Sequence, residues 1–313
     1  MKRRGIILFI TLAVILLMGA TVMLILQAQQ RFQETLNKET ALTQGMLFVN
    51  DMSEYLIANP LTPQEIFAGS EIPVTMALQN IEGTVTLSSA QNRLNINAYL
   101  KALQHDQSAY DAMNGWLRQQ GYKSPSLLLA ILLDTIDNDD QERISGSEIR
   151  LRDPRYQNGA IYPKRSLPTI IRVYRRLSGD QNATLTPFLR TFGFEKSPFD
   201  LNYATFEQLR LLYPDFPTHI LTQISAHDSY YESVNDLPVP YTYRRRILTP
   251  RWGITPTLKS NILQAVVDYT YNRTWQGRLS FCVTLGKKPH ISHITLSPLR
   301  RITTGEEHEN RSR

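Results

Sequence analysis

From Ile6 to Leu26 the chain runs for 21 residues without a charged side chain. At about 1.5 Å per residue that is enough to cross a hydrocarbon layer of about 30 Å, so the pattern predicts a transmembrane helix. A cleavable secretory signal has an apolar core of only about 7–15 residues, and no small-x-small cleavage pattern follows Leu26, so the anchor is expected to stay. Apolar positions then continue at roughly helical spacing through Phe32, Leu36, Leu42, Met46, Val49, Met52 and Leu56, with no proline or turn signal before Asn59-Pro60. A single helix over 6–57, roughly 75–80 Å long, is predicted. Its first half belongs in lipid, and its second half offers an apolar stripe to a folded domain.

Beyond Pro60 the period changes. "IPVTMAL" and "GTVTLSS" read as short strands, and "LNINAYLKALQHD" as a strand running into a helix. "AYDAMNGWLRQQG" and "PSLLLAILLDTID" read as helices, the former stopped by Gly121. After an irregular basic segment, "TIIRVYRRL", "TLTPFLRTFGF", "TFEQLRLLYPDF", "THILTQIS" and "TLKSNILQAVVDYTYNRTW" continue the helical middle. The end returns to β character, with "RLSFCVTLG" and "HISHITLSPLRRI" joined across Lys287-Lys288-Pro289. Strands flanking helices predict an α+β fold in which a mostly helical domain is inserted into a small sheet domain. The expected boundaries are a transmembrane helix at 6–26 and its continuation at 27–58. The first part of the sheet domain follows at 59–103, the helical insertion at 104–275, a C-terminal β-hairpin at 276–302 and a disordered polar tail at 303–313.

A length of 313 residues with 42% hydrophobic and 20% charged residues excludes a disordered chain. The net charge of +6 owes half its excess to Lys2, Arg3 and Arg4, so the body is nearly neutral and carries no nucleic-acid signature. That triplet should stay cytoplasmic, which puts the rest on the far side of the membrane. Cys282 is the only cysteine, which excludes an intrachain disulfide and a cysteine metal framework, and its strand-like setting suits a buried inert thiol. His290-x-x-His293 alternates along a strand without a carboxylate partner, and reads as surface rather than metal site. No G-x-S-x-G, P-loop or G-x-G-x-x-G occurs, so catalysis has nothing to stand on and the chain is not expected to be an enzyme. "YTYRRRILTPRW" could grip phosphates, but a solvated, partly ion-paired face is the better account of it. The turn in "RLLYPDFPTHI" lacks the glycines of a helix-hairpin-helix DNA binder.

The densest chemistry lies in "LLDTIDNDDQERISGSE", residues 132–148, which holds Asp134, Asp137, Asp139, Asp140, Glu142 and Glu148. Three readings compete: a solvated turn, a hard-cation site and a catalytic carboxylate pair. An EF-hand is excluded because Glu142 stands where the loop needs glycine. Clustered carboxylates still match the six to eight oxygens that Ca²⁺ takes, whereas no nucleophile accompanies a catalytic pair.

In its order of landmarks the chain resembles the K-type minor pseudopilins of the bacterial type II secretion system (general secretion pathway protein K family). "KRRGIILFITLAVILL" is similar to their leader and apolar helix, with cleavage between Gly5 and Ile6. "NRLNIN" at 92–97, the acidic stretch, "PRYQNG" at 154–159 and "DLNYATFEQLRLL" resemble four further family segments in the family's order. Thr135, Ser147, Ile149 and the Asp200-Leu201-Asn202 segment depart from the family pattern. The resemblance implies a leader peptide at 1–5, a single-pass inner-membrane subunit with a cytoplasmic N-terminus and a periplasmic body, and processing by a prepilin peptidase. It implies pilus-like helix packing through Ile10, Phe32 and Leu36, with I- and J-type minor pseudopilins and the inner-membrane platform as partners. It also implies Ca²⁺ held by Asp134, Asp137, Asp139, Asp140 and Glu148. Most pilin-like subunits carry a glutamate at the fifth mature position; Ile10 takes that place here, which suits a subunit capping the tip and helping initiate assembly. The alternative is a membrane-anchored periplasmic module that binds peptide, glycan or DNA in a related pilus machine.

Overall fold

A computed structural model describes residues 2–58, 62–68, 71–76, 81–194, 196–271, 274–284, 290–297 and 299–302. Helix α1 (Lys2–Ala58) is continuous, and a short α2 (Pro63–Phe67), capped by Thr62 and Glu65, leads into strands β1 (Glu71–Met76) and β2 (Ile81–Ser89). The chain then enters a helical lobe: β3 (Leu94–Asn95), α3 (Ile96–Leu103), α4 (Gln107–Gln119), α5 (Pro125–Ile136), α6 (Leu167–Ser178), α7 (Thr186–Thr191), β4 (Phe192–Gly193), β5 (Phe199–Asp200), α8 (Phe206–Leu212), α9 (Thr218–Ser225), α10 (Tyr241–Ile247) and β6 (Pro256–Thr257). It returns through β7 (Ile262–Tyr271), β8 (Trp275–Thr284), β9 (His290–Leu296) and β10 (Arg300–Arg301).

The sheet is antiparallel in the order β1-β2-β7-β8, with β9 and β10 both pairing with β8. Ser89 at the end of β2 pairs with Leu263 at the start of β7. The whole helical lobe, residues 90–261, therefore occupies the place of a hairpin loop. This corrects the expected insertion at 104–275 at both ends. Helix α3 belongs to the lobe, since Ile96, Tyr99, Leu100 and Leu103 are buried in its core. "ILQAVVDYTY" is strand β7 rather than helix. Its Leu263, Ala265, Val267 and Tyr269 alternate inward, and its β-branched and aromatic residues suit a half-buried pleat, so a period of two wins over the looser helical spacing.

Two separate cores result. One lies in the lobe around the almost wholly apolar α5, in which every residue from Leu128 to Thr135 is buried. The other lies between α1 and the sheet, where Ala41, Phe48, Val49 and Met52 pack on Val85, Leu87, Val267, Leu279 and Phe281. The approach is close. A Cβ at Gly277 would lie 2.6 Å from the Tyr269 ring, and one at Gly45 on α1 would lie 2.9 Å from its hydroxyl, so both glycines make room for one tyrosine.

The expected apolar stripe on α1 is thus only partly the docking face. Val49 and Met52 are buried and Leu42 partly so, whereas Met46, Leu36 and Phe32 are exposed. Side chains of residues 2–17 and of Leu56 lie outside the described part, as do Asn59-Pro60, the 285–289 turn and the 303–313 tail. Among the described residues no helix is long and apolar enough to cross a membrane; of the 6–26 stretch, only Met18 onward is described at side-chain level.

Candidate functional site

Helix α5 carries the acidic loop at its C-terminal end. Its last turn delivers Asp134, fully buried, and the chain leaves the helix at Asp137, whose backbone is extended. The loop that follows comes back to the same helix end, where Gly159 N–H donates to the Thr135 carbonyl at 2.6 Å and Tyr156 lies 3.5 Å from the Thr135 hydroxyl. Closing the loop in this way brings Glu148 and Asn158 beside the helix terminus.

Arg143 is the local cation. Its Nη1 bridges Asp134 and Asp137, and its backbone N–H donates to Asp134 Oδ2 at 3.2 Å. Ser147 Oγ donates to the same Asp134 oxygen. Glu148, also fully buried, accepts from Arg150 N–H at 2.8 Å and from Asn158 Nδ2 at 3.1 Å, and Asn158 Nδ2 lies 3.4 Å from the Asp139 carbonyl. Burial pushes the Asp137 carboxyl above its ordinary range despite Arg143. Burial likewise raises Glu148, against the hydrogen bonds from Arg150 and Asn158, and the charges of Asp134 and Asp137 add to the rise. Two carboxylates thus share one guanidinium, while Glu148 is held by Asn158 and the Arg150 N–H. Asp137 Oδ1 and Asn158 Oδ1 are both buried without a hydrogen-bond partner.

The five sequence-predicted ligands divide accordingly. Asp134 and Asp137 are brought together on Arg143, and Glu148 is held to the same loop through Asn158. Asp139 offers its backbone carbonyl, while its side chain caps the loop by accepting from Gln141 N–H at 2.9 Å. Asp140 turns outward to Arg150 at 3.1 Å, an exposed pair. Among the described residues no three Asp, Glu, His or Cys side chains converge as a metal would require. Asp134, with its oxygens committed to Arg143 and Ser147, fits a cation poorly. Asp137, Glu148, the Asp139 carbonyl and Asn158 are the remaining hard oxygen donors of the loop, and Asp137 Oδ1 and Asn158 Oδ1 have no hydrogen-bond partner among the described residues.

The other singled-out segments prove to be structural. Asn95 caps α3 by accepting from Ala98 N–H at 2.8 Å, and Asn97 pairs with both backbone groups of Ile161 (2.7 and 3.1 Å). Asn202 clamps three strands of irregular chain, accepting from Tyr231 N–H at 2.7 Å and donating to the carbonyls of Tyr231 (3.1 Å) and Leu258 (2.9 Å). Of the arginine run in α10, Arg246 pairs with Asp215, which Arg251 beyond the helix also reaches, and Arg244 Nε donates to the Val239 carbonyl at 2.7 Å. Cys282 is half-buried on β8.

No family model and no curated protein matches this sequence. Among solved structures it matches a chain in the crystal structure of the GspK-GspI-GspJ complex from the type 2 secretion system of enterotoxigenic Escherichia coli. The TM-score is 0.50 at 14% identity, over 87% of this chain and 98% of that one. At that identity the likeness is one of fold. The architecture is similar to that of a chain of this pseudopilin complex, in agreement with the resemblance carried by the sequence landmarks.

Proposed function

We propose that the protein is a minor pseudopilin of a type II secretion system, working by assembly without catalysis. The observation that carries this reading is the fold itself: a long helix laid on an antiparallel sheet whose hairpin loop is replaced by a helical lobe. The helix keeps an exposed apolar run from Met18 to Leu26, followed by exposed Phe32 and Leu36, which no described residue covers. Such a surface suits lipid at its upper end and neighbouring helices below.

In this reading residues 6–26 span the inner membrane with the basic triplet in the cytoplasm, and a prepilin peptidase removes residues 1–5. The periplasmic body sits at the tip of the pseudopilus beside I- and J-type subunits and helps start assembly on the inner-membrane platform. A hard cation such as Ca²⁺ belongs to the acidic loop, held by Asp137, Glu148, Asn158 and the Asp139 carbonyl, and it would neutralise the excess charge there.

The test is co-expression of the full chain with its I- and J-type counterparts and the peptidase, followed by detergent extraction. The expected result is a co-eluting complex in which this subunit begins at Ile6 by mass. A subunit that elutes alone and retains Met1 would overturn the reading.

A further inference from the structure

Away from the acidic loop, α3 forms one wall of an open groove of about 820 Å³. Ala98 and Ala102 on α3, with Ala160, Phe194 and Trp252 opposite, give it a small and aromatic lining. Lys101, His105 and Lys196 line it as well; all three are exposed, and none forms an ion pair with another described residue. Among the described residues one carboxylate, Asp106, lines it, and its oxygens are committed. It accepts from Ser108 N–H (2.9 Å) and Oγ (2.8 Å), from Ala109 N–H (3.2 Å) and from Trp252 Nε1 (2.8 Å). Two lysines against one carboxylate leave the described lining net cationic over an apolar floor.

The tryptophan is held at a conformational cost. Arg251 and Ile254 exchange both backbone hydrogen bonds at 2.9 Å around Trp252-Gly253, and both central residues have positive φ, 53° and 71°. This is a two-residue type I′ turn, where asparagine or glycine is the ordinary occupant of the first position. Here a bulky aromatic takes it, fixed by Asp106, by an edge contact with Tyr99 at 5.3 Å and by the Arg251 guanidinium 4.3 Å above its ring. Backbone strain of this kind concentrates at recognition sites.

Charge narrows the ligand. Lys101 lies in the last turn of α3 and His105 just past its end, and both line the groove. Alternate side chains of an extended peptide share one face, about 6.6–6.8 Å apart, and present a row of carboxylates to a row of cations. We propose that the groove binds an extended acidic peptide segment of a partner protein, with carboxylates at alternate positions on Lys101, His105 and Lys196 and apolar side chains against Trp252 and Phe194.

The probe is a fluorescein-labelled peptide, Glu-Phe-Glu-Phe-Glu with a blocked C-terminus, titrated by anisotropy against the full chain in detergent micelles. Saturable binding is expected, weakened at least tenfold by Lys101→Glu with Lys196→Glu, and also by Ala160→Trp, which fills the groove without changing charge. The Gln-Phe-Gln-Phe-Gln analogue should not bind. Each variant's melting temperature, unchanged from the parent, excludes misfolding. The proposal is overturned if the acidic peptide does not bind, if the glutamine analogue binds as tightly, or if only the charge reversals and not Ala160→Trp weaken binding. It is equally overturned if the lysines serve phosphatidylglycerol vesicles and not the peptide.

Discussion

Arg143 Nη1 reaches Asp134 and Asp137 at once, so truncating it strands Asp134, a carboxylate wholly out of water. Removing one partner of a buried pair costs about 3–5 kcal/mol; since the Arg143 side chain is 38% exposed, Arg143→Ala should fall at the lower end, about 3 kcal/mol, in denaturant unfolding of the full chain in detergent. The cation reading adds a second outcome. The folded-state pKa values of Asp137 and Glu148 are raised, so without a metal these groups contribute stability that is present below their unfolded pKa values and lost as pH rises through the folded ones. At neutral pH, Ca²⁺ should therefore raise the melting temperature, by about 5–10 °C at a hundredfold excess over Kd, and the gain should vanish as acid protonates the ligands. Asp137→Ala with Asn158→Ala should abolish the gain at neutral pH. Identical melting in calcium and in chelator would leave the loop as a self-neutralised turn. The carboxylates were legible from their spacing, because like charge gathered in a short stretch demands a counter-charge. The roles of Arg143 and Asn158 were not, since they depend on a loop closing onto Thr135 from twenty-odd residues away.

At the scale of elements, the joint between sheet and lobe matters most, because both chain crossings pass through one polar knot. Ser89 Oγ meets Ser260 Oγ at 2.8 Å, Gln91 Oε1 accepts from Ser260 Oγ (3.0 Å) and Asn261 N–H (3.1 Å), and the Gln91 carbonyl accepts from Asp200 N–H at 2.8 Å. Asp200 is fully buried there. Its neighbours Tyr203 and Tyr230 bring no positive charge, and burial lifts its carboxyl to about 6. A pKa raised on folding stabilises below the unfolded value of about 4 and ceases to do so above about 6. A rise of about two units corresponds to about 3 kcal/mol. Melting temperatures of the full chain between pH 4 and pH 7.5 should fall accordingly, and Asp200→Asn should flatten that slope. An unchanged slope would mean that Asp200 is solvated in solution. This knot was invisible in the sequence because burial is assembled from three separate segments. Strand β7 was misread for a related reason: local spacing permits either period, and the choice is made by β2 and β8 on either side of it. The strands before the lobe and most of its helices were legible because their periods and caps are local.

For the whole molecule, the proposed pseudopilin role turns on what could sit above such a subunit in a filament. The lobe from 90 to 261 replaces one hairpin loop and exceeds in length the sheet domain that bears it, so stacking past that end of the sheet meets bulk where an ordinary hairpin would leave room. The helix adds an independent argument. With Ile6 as the first mature residue, Ile10 stands at the fifth position, where a carboxylate would neutralise the free amine of the next subunit. An unneutralised amine in an apolar setting costs several kcal/mol, so a neighbour above is disfavoured on electrostatic as well as steric grounds. At a tip no such neighbour exists, and the side chain at position 10 is released from that role. Ile10→Glu should then preserve secretion to within about twofold, whereas in a subunit stacked along the filament the same position would be sensitive. Crosslinkers placed from Phe32 to Leu56 should capture other minor pseudopilins on one side of the helix only. Crosslinks joining copies of this chain to one another along the filament would place it in the shaft and overturn the cap.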